Sequence, residues 1–327
     1  MTLTDPRPVV TPKMSTRSGR GTRWWRAPSS PSGSSPGGNR LTLRLFLVPV
    51  IIVFIVLFAI PLVQSIWWSF TDFNGYSAET NFIGLRNYAN VFSDPSMLAG
   101  LSFTIFFTLG TTILITIFAM PLAVVLNRAF LGRNFVRAIF FFPAIPSVAI
   151  LGLVWGFILN PLGSGALNSL LSSLAGIGPV PWLSDSTLAQ ISVIVVGVWT
   201  STGWHSILYL AFLQSIPSDY YEVARIDGAS AIQRFFYITL PLLMPAMTVS
   251  WLLLMTGGLK VYDLPFTLTR GGPGYSTFTI TQTIIQNGVS QAKYGQASAL
   301  AVIFMLIVGI IVAAQLTLSR RLEGKVS

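Results

Sequence analysis

The side chains that could do chemistry fall into three groups. The first is Trp199-Thr200-Ser201-Thr202-Gly203-Trp204-His205, with Tyr209 following, inside a long apolar run. The second closes another apolar run and reads Thr256-Gly257-Gly258-Leu259-Lys260-Val261-Tyr262-Asp263. The third, Tyr221 to Pro241, is a polar stretch between the two. Polar groups inside apolar runs are costly and mark functional positions by default. Indole and phenol rings stack on apolar C–H faces, while hydroxyl, carboxylate and ammonium groups hydrogen-bond to hydroxyls. Trp199, Thr202, Trp204, Tyr209, Thr256, Lys260, Tyr262 and Asp263 together suit a path for a sugar-like solute, with Tyr262 first among them.

Each of these residues also has a plainer reading. Ser and Thr hydroxyls often bond back to their own helix. Lys260 and Asp263 stand three apart and could pair with each other. Trp199 and Trp204 could face lipid or pack between helices, and His205 could be a hydrogen-bonded packing residue. Catalysis fits less well. The chain has no cysteine and one histidine, so it offers no thiolate nucleophile and no all-protein zinc or haem site. A membrane enzyme would need a nucleophile–base pair or a metal cluster. No phosphate-cradling G-x-x-x-x-G-K-[ST] loop is present; Gly324-Lys325 lacks both the spacing and the hydroxyl.

The elements that must position these groups are membrane helices. Of 327 residues, 52% are hydrophobic and 9% charged, against about 25% charged in soluble proteins. A span takes about 20 mostly apolar residues. Six runs qualify: Leu45–Phe70, Leu101–Leu126, Val136–Leu159, Gln190–Gln214, Leu242–Tyr262 and Gln296–Leu318. Pro143 and Pro146 predict a break in the third, and Gly152 and Gly156 a helix contact on it. The first run exceeds a signal-peptide core and lacks a small-residue cleavage pattern after it, so it reads as retained. The fold expected is all-α and polytopic, with six transmembrane helices.

Lys and Arg set the orientation. Eight of the 20 precede residue 45, in a Pro-, Ser- and Gly-rich stretch with too little apolar surface to fold. Residues 1–40 are therefore expected to be a disordered, basic, cytoplasmic tail, with Trp24 and Trp25 as incidental aromatics. Arg128, Arg133 and Arg137 follow span two, and Arg320, Arg321 and Lys325 follow span six. The intervening loops on the other side are poor in bases. Both termini then face the cytoplasm, as does the loop 215–241. That loop carries Arg225 and Arg234 against Asp219, Glu222 and Asp227, so topology alone does not account for it. A basic tail on such a chain points to membrane, not nucleic acid.

Within the loop, Glu222, Ala224, Arg225 and Ala229 favour a short helix. Gly228 ends or bends it, Ala231 to Ile238 could form a second, and Pro241 opens the next span. The run Glu222-Val223-Ala224, then Gly228 after three residues, then Ile238-Thr239-Leu240-Pro241 after nine more, resembles the Glu-Ala-Ala loop of bacterial ABC-importer permeases. Val223 departs from the family's alanine. Phe82-Ile83-Gly84-Leu85-Arg86-Asn87-Tyr88 and Thr269-Arg270-Gly271-Gly272-Pro273-Gly274 resemble the carbohydrate-importer branch, in particular the first of the two maltose-type permeases. The resemblance covers about residues 41–322 and leaves out the tails 1–40 and 323–327.

The resemblance implies the type I ABC-importer permease fold in a bacterial cytoplasmic (inner) membrane. It implies a six-helix permease domain and a coupling loop, 215–241, docked in an ATPase cleft. The residues it would place there are Glu222, Val223, Ala224, Asp227, Gly228, Leu240 and Pro241. Implied partners are a second homologous permease subunit, an ATP-binding subunit dimer and an extracytoplasmic solute-binding protein, besides membrane lipid. No cofactor is implied for this chain; ATP and Mg belong to the partner ATPase. The implied function is carbohydrate import, of a di- or oligosaccharide, by alternating access. Related permeases move sugar alcohols or glycerol 3-phosphate. An ion-coupled secondary sugar transporter is the alternative outside the family, but it would need membrane carboxylates, and Asp263 is the one acid inside or bordering a span.

Overall fold

The computed structural model describes residues 39–77 and 79–323; most of the expected basic tail and the last four residues lie outside them. Among the described residues every regular element is helical, apart from one antiparallel bridge between Thr71 and Phe82. The cause is the solvent. Hydrocarbon offers no hydrogen-bond partner, so an apolar run must satisfy its own backbone.

The chain divides into two compact units at Phe58. In the first, α1 (Asn39–Phe54), with Pro49 inside it, continues into a π-helical turn from Ile55. The second unit opens with α2 (Ile60–Trp68) and α3 (Arg86–Ser93). The 33-residue α4 (Pro95–Asn127) follows, with Asp94 capping its start by accepting from the Ser96 N–H. Then come α5 (Arg133–Phe141), α6 (Val148–Ile158), α7 (Ala166–Ala175) and the 28-residue α8 (Ser186–Leu213). Beyond it lie α9 (Asp219–Ile226), α10 (Ala231–Arg234), α11 (Leu240–Leu242), α12 (Met244–Leu259) and α13 (Asp263–Thr269). The unit closes with α14 (Ile280–Ile285) and α15 (Tyr294–Glu323).

Four stretches are long and apolar enough to cross a bilayer: Leu45–Trp68, Pro95–Asn127, Ser186–Leu213 and Tyr294–Ser319. Two bent pairs, Arg133–Ala144 with Val148–Ile158 and Ala231–Leu242 with Met244–Leu259, bring the number to six if each is one span. The first pair bends by 96°. Pro143 and Pro146 cannot donate to the helix ladder there, and each disfavours helical backbone in the residue before it. Ser147 then restarts the helix by accepting from the Ile150 N–H. The second pair bends by 66° between Pro241 and Pro245.

The main core lies where α4, α8 and α12 pack together. Phe103, Phe107, Ile115, Ala119 and Ala123 share it with Val193, Val196, Leu210, Ala246 and Leu254. Small residues let such helices approach, and cross-helix hydrogen bonds fix their register. Trp251 Nε1 donates to Thr116 Oγ1 (2.9 Å) and the Ile280 N–H to Thr104 Oγ1 (2.9 Å). Gly152 has a specific role. A Cβ there would collide with Thr267, so only glycine lets α13 lie against α6.

The Phe82–Tyr88 motif serves as a clasp. Asn87 Nδ2 donates to the carbonyls of Ser69 (3.0 Å) and Thr71 (2.8 Å), satisfying backbone that α2 leaves free. Tyr88 shares a hydrogen bond with Ser69 Oγ, and the Gly295 N–H reaches the Phe73 carbonyl. The end of α2 is thus fastened to the start of α15. Losing a buried amide that bonds two carbonyls costs about 1–3 kcal/mol.

Candidate functional site

Two places bring the chemistry-bearing residues together. The first is the loop 215–241. Its local structure follows from a few residues. At the end of α9, Gly228 takes a left-handed φ of +78°. Its N–H donates to the Arg225 carbonyl (3.1 Å), and the Ala229 N–H reaches back to the Ala224 carbonyl (2.8 Å). This pair of bonds is a Schellman stop, which favours glycine at the left-handed position. Two residues later Ser230 starts α10 with a capping box: its Oγ accepts from the Gln233 N–H while Gln233 Oε1 accepts from the Ser230 N–H. The stop and the restart join α9 by a tight corner to α10, which runs on through a π-helical turn (Phe235–Thr239) into α11.

The side chains of α9 divide between two faces. Tyr220, Val223, Ala224 and Asp227 line a groove of about 570 Å³ together with Ile238. Tyr221, Glu222 and Arg225 line a separate cavity of about 270 Å³ together with Arg128 and Arg234. Glu222, Val223, Asp227 and Gly228 are exposed, while Ala224, Leu240 and Pro241 are half-buried. Tyr220, Val223 and Ile226 leave apolar surface bare, Ile226 at 86% exposure. Tyr221 ties the corner to the next span through a hydrogen bond between its hydroxyl and Thr239 Oγ1 (3.1 Å). Pro241 follows a π-helical turn, Phe235–Thr239, near the end of the continuous helical stretch Ala231–Leu242 and just before the bend into α12.

The second place is a cavity of about 230 Å³ between α4, α8, α12 and α13. Its polar wall is Thr111, Thr200, Ser201 and His205, and Gly257 and Gly258 leave room on the α12 side. His205 is 5% exposed and is held by a 2.8 Å hydrogen bond between its Nδ1 and Ser250 Oγ. No charged side chain lines this cavity among the described residues.

None of the eight residues assigned to the solute path from sequence is on the cavity wall. Tyr209 is fully buried in the helix core, and Thr202 bonds back to the Val198 carbonyl (2.6 Å). Trp199 and Trp204 are exposed on α8; Trp199 packs edge-on against Trp155 and Trp204 against His205. Thr256 bonds back to the Leu252 carbonyl (2.6 Å). The fifth span ends earlier than its apolar run. The helix stops at Leu259, and Lys260 to Tyr262 turn the chain into α13, where Tyr262 stacks on Phe266. Lys260 and Asp263 are both exposed, and no ion pair joins them among the described residues.

The neighbours Thr200, Ser201, His205, Gly257 and Gly258 form the wall instead, together with Thr111 from α4. A signal for α4 was available. Thr104, Thr108, Thr111 and Thr112 recur at helical spacing along one face, and all four are buried.

These features define a polytopic membrane transport subunit. Residues 115–323 match the family described as the binding-protein-dependent transport system inner membrane component, and the chain belongs to that family. It is 35% identical over 265 residues to the trehalose/maltose transport system permease protein of Thermococcus litoralis, covering 81% of this chain and 88% of that one. It is 32% identical over 286 residues to the probable starch degradation products transport system permease protein of Thermoanaerobacterium thermosulfurigenes, covering 87% and 96%. A chain of a bacterial alginate ABC transporter, solved in complex with an alginate pentasaccharide-bound periplasmic protein, superposes with a TM-score of 0.75. That chain is 25% identical, and the match covers 86% of this chain and 95% of that one. The fold is therefore that of an ABC-importer permease.

Proposed function

We propose that this chain is the permease subunit of an ATP-driven carbohydrate importer in a bacterial inner membrane, with both termini cytoplasmic. The observation that carries the solute class is the cavity wall: hydroxyls, one imidazole and glycine backbone beside apolar side chains that include Phe107, Ile115 and Leu254, with no charged group. Such a wall suits a neutral polyhydroxylated solute. A phosphorylated one would want fixed cations, and Lys260, on the turn beyond α12, is not on the wall. An ion-coupled transporter would want a carboxylate in the path, and the wall has none among the described residues. Relatives named for trehalose, maltose and starch products support the same class.

Energy must come from another polypeptide, because the sequence has no phosphate loop. We assign the corner formed by α9, Gly228 and α10 as the coupling element. Its exposed Tyr220, Val223 and Ile226 offer the apolar surface on which an ATP-binding subunit would dock. Closure of the ATPase dimer, loaded with ATP and Mg, would move this loop and, through Tyr221 and Thr239, the α12 side of the cavity. At about 230 Å³ the cavity is below the usual ligand-pocket range of about 300–1,000 Å³, as expected of a path that opens only in part of the cycle. A second homologous permease would complete the path, and an extracytoplasmic binding protein would deliver the solute.

The test is uptake by a strain lacking this gene. The panel is labelled maltose, trehalose, cello-, xylo- and galacto-oligosaccharides, polyols and glycerol 3-phosphate. Loss of uptake of one neutral sugar, restored by the gene and insensitive to a protonophore, is the expected result. Loss of glycerol 3-phosphate uptake alone would overturn the neutral-sugar assignment, and collapse of sugar uptake with the protonophore would overturn ATP coupling.

A further inference from the structure

We propose that the cavity between α9, α10 and the adjoining ends of α4 and α8 holds the phosphate headgroup of an anionic phospholipid. Three arginines converge on it from separate elements: Arg128 caps the end of α4, Arg225 lies on α9 and Arg234 ends α10. Glu222 is the one acid on the same wall. None of the three arginines is in an ion pair among the described residues. This leaves a concentration of guanidinium groups with a net charge of +2 (three Arg minus one Glu).

Guanidinium forks match the paired oxygens of a phosphate. Basic pockets between helices at a membrane border recruit acidic lipid headgroups. The rest of the wall decides between a lipid and a soluble anion. Val124 on α4 and Phe235 just after α10, both half-buried, add apolar surface beside the charges, next to the polar Asn127, Ser218, Tyr221 and Thr239. A free phosphate would leave that surface unused, whereas the glycerol and first methylenes of a lipid would cover it. The bound headgroup would bridge the end of α4 to both helices of the loop. Acidic lipid would thereby set the position from which the loop acts. This inference rests on the reading of the loop as the cytoplasmic coupling element, but its first test does not depend on transport.

The experiment uses the assembled importer in detergent doped with phosphatidylglycerol and phosphatidylcholine, read by native mass spectrometry. Phosphatidylglycerol should be retained several-fold over phosphatidylcholine. An Arg128→Gln, Arg234→Gln double variant should lose that preference, and millimolar inorganic phosphate should not displace the lipid. Equal retention by both proteins would overturn the site. Displacement by inorganic phosphate would overturn the lipid source in favour of a soluble anion. Should the double variant not assemble, the absence of cysteine permits a Phe235→Cys variant carrying a bimane label. Nitroxide on the phosphatidylglycerol headgroup should then quench it several-fold more than nitroxide on phosphatidylcholine. Equal quenching in the assembled complex would mean that an acidic group of a partner protein fills the cavity instead, and would overturn the proposal. Loss of sugar uptake with lipid binding intact would count against the functional reading alone.

Discussion

Replacing Gly228 with proline is expected to abolish solute uptake while leaving the membrane-spanning body folded. The glycine has a φ of +78°, and proline is locked near −65°. The substitution also removes the N–H that donates to the Arg225 carbonyl, and with it half of the Schellman stop. Asp227 has near-helical backbone (φ −75°, ψ 2°), which a following proline disfavours. Proline in the wrong helical position costs about 3 kcal/mol or more, which lowers the population of the present corner roughly a hundredfold. Crowding does not enter, because a Cβ at Gly228 would meet nothing within 4 Å. An alanine at this site should therefore show the backbone penalty alone, about 1–2 kcal/mol, with a partial loss. The measurement pairs labelled-solute uptake with ATPase stimulation by the solute-binding protein. Both should fall more than about tenfold for Gly228→Pro, with the chain still in the membrane and thermal unfolding little changed. Full uptake by the proline variant would remove the corner from the mechanism.

Filling the cavity should have an effect of similar size by a different route. Gly257 lines it, and a Cβ at that position has no neighbour within 4 Å. A Gly257→Trp variant would therefore begin without a clash at its Cβ and add its indole beside the cavity. Glycine within a helix is itself unfavourable by roughly 0.5–1 kcal/mol relative to alanine, so the substitution should not weaken α12. Uptake should fall more than about tenfold, while the ATPase still answers to the binding protein. The split between the two readouts is the informative part. Gly228→Pro should lose both together, whereas Gly257→Trp should lose transport alone. Normal uptake by Gly257→Trp would move the solute path elsewhere.

The two sites differ in how far sequence reveals them. The loop is local. Gly228, Ser230 and Gln233 each specify backbone hydrogen bonds within five residues, so the stop and the capping box can be read from residue types alone. The break near Pro143 and Pro146 is legible for the same reason, whereas Pro241 reads as the opening of a span and the bend falls just after it. Which face of a membrane helix looks inward is a tertiary property. The spans are apolar all round, so periodicity hardly separates lipid from core. Trp199 and Trp204 stand beside Thr200, Ser201 and His205, and only the packing of α8 against α4 and α12 decides which of them line a cavity. The run through Tyr262 also conceals the early end of α12 at Leu259, and with it the return of α13 against α6. That contact depends on Gly152 accommodating Thr267, a pairing of residues far apart in sequence.

The central claim is that this permease receives its work from a separate ATP-hydrolysing chain through the corner around Gly228. Its most direct test uses a Val223→Cys variant in this otherwise cysteine-free chain, in membranes containing the whole importer. Val223 is exposed on the groove side of α9. A short bifunctional cross-linker should join it to a protein bearing a phosphate-binding loop, with a yield that changes when ATP and vanadate are added. Recovery of the cysteine variant free of any such protein, in membranes that still accumulate the sugar, would contradict the account.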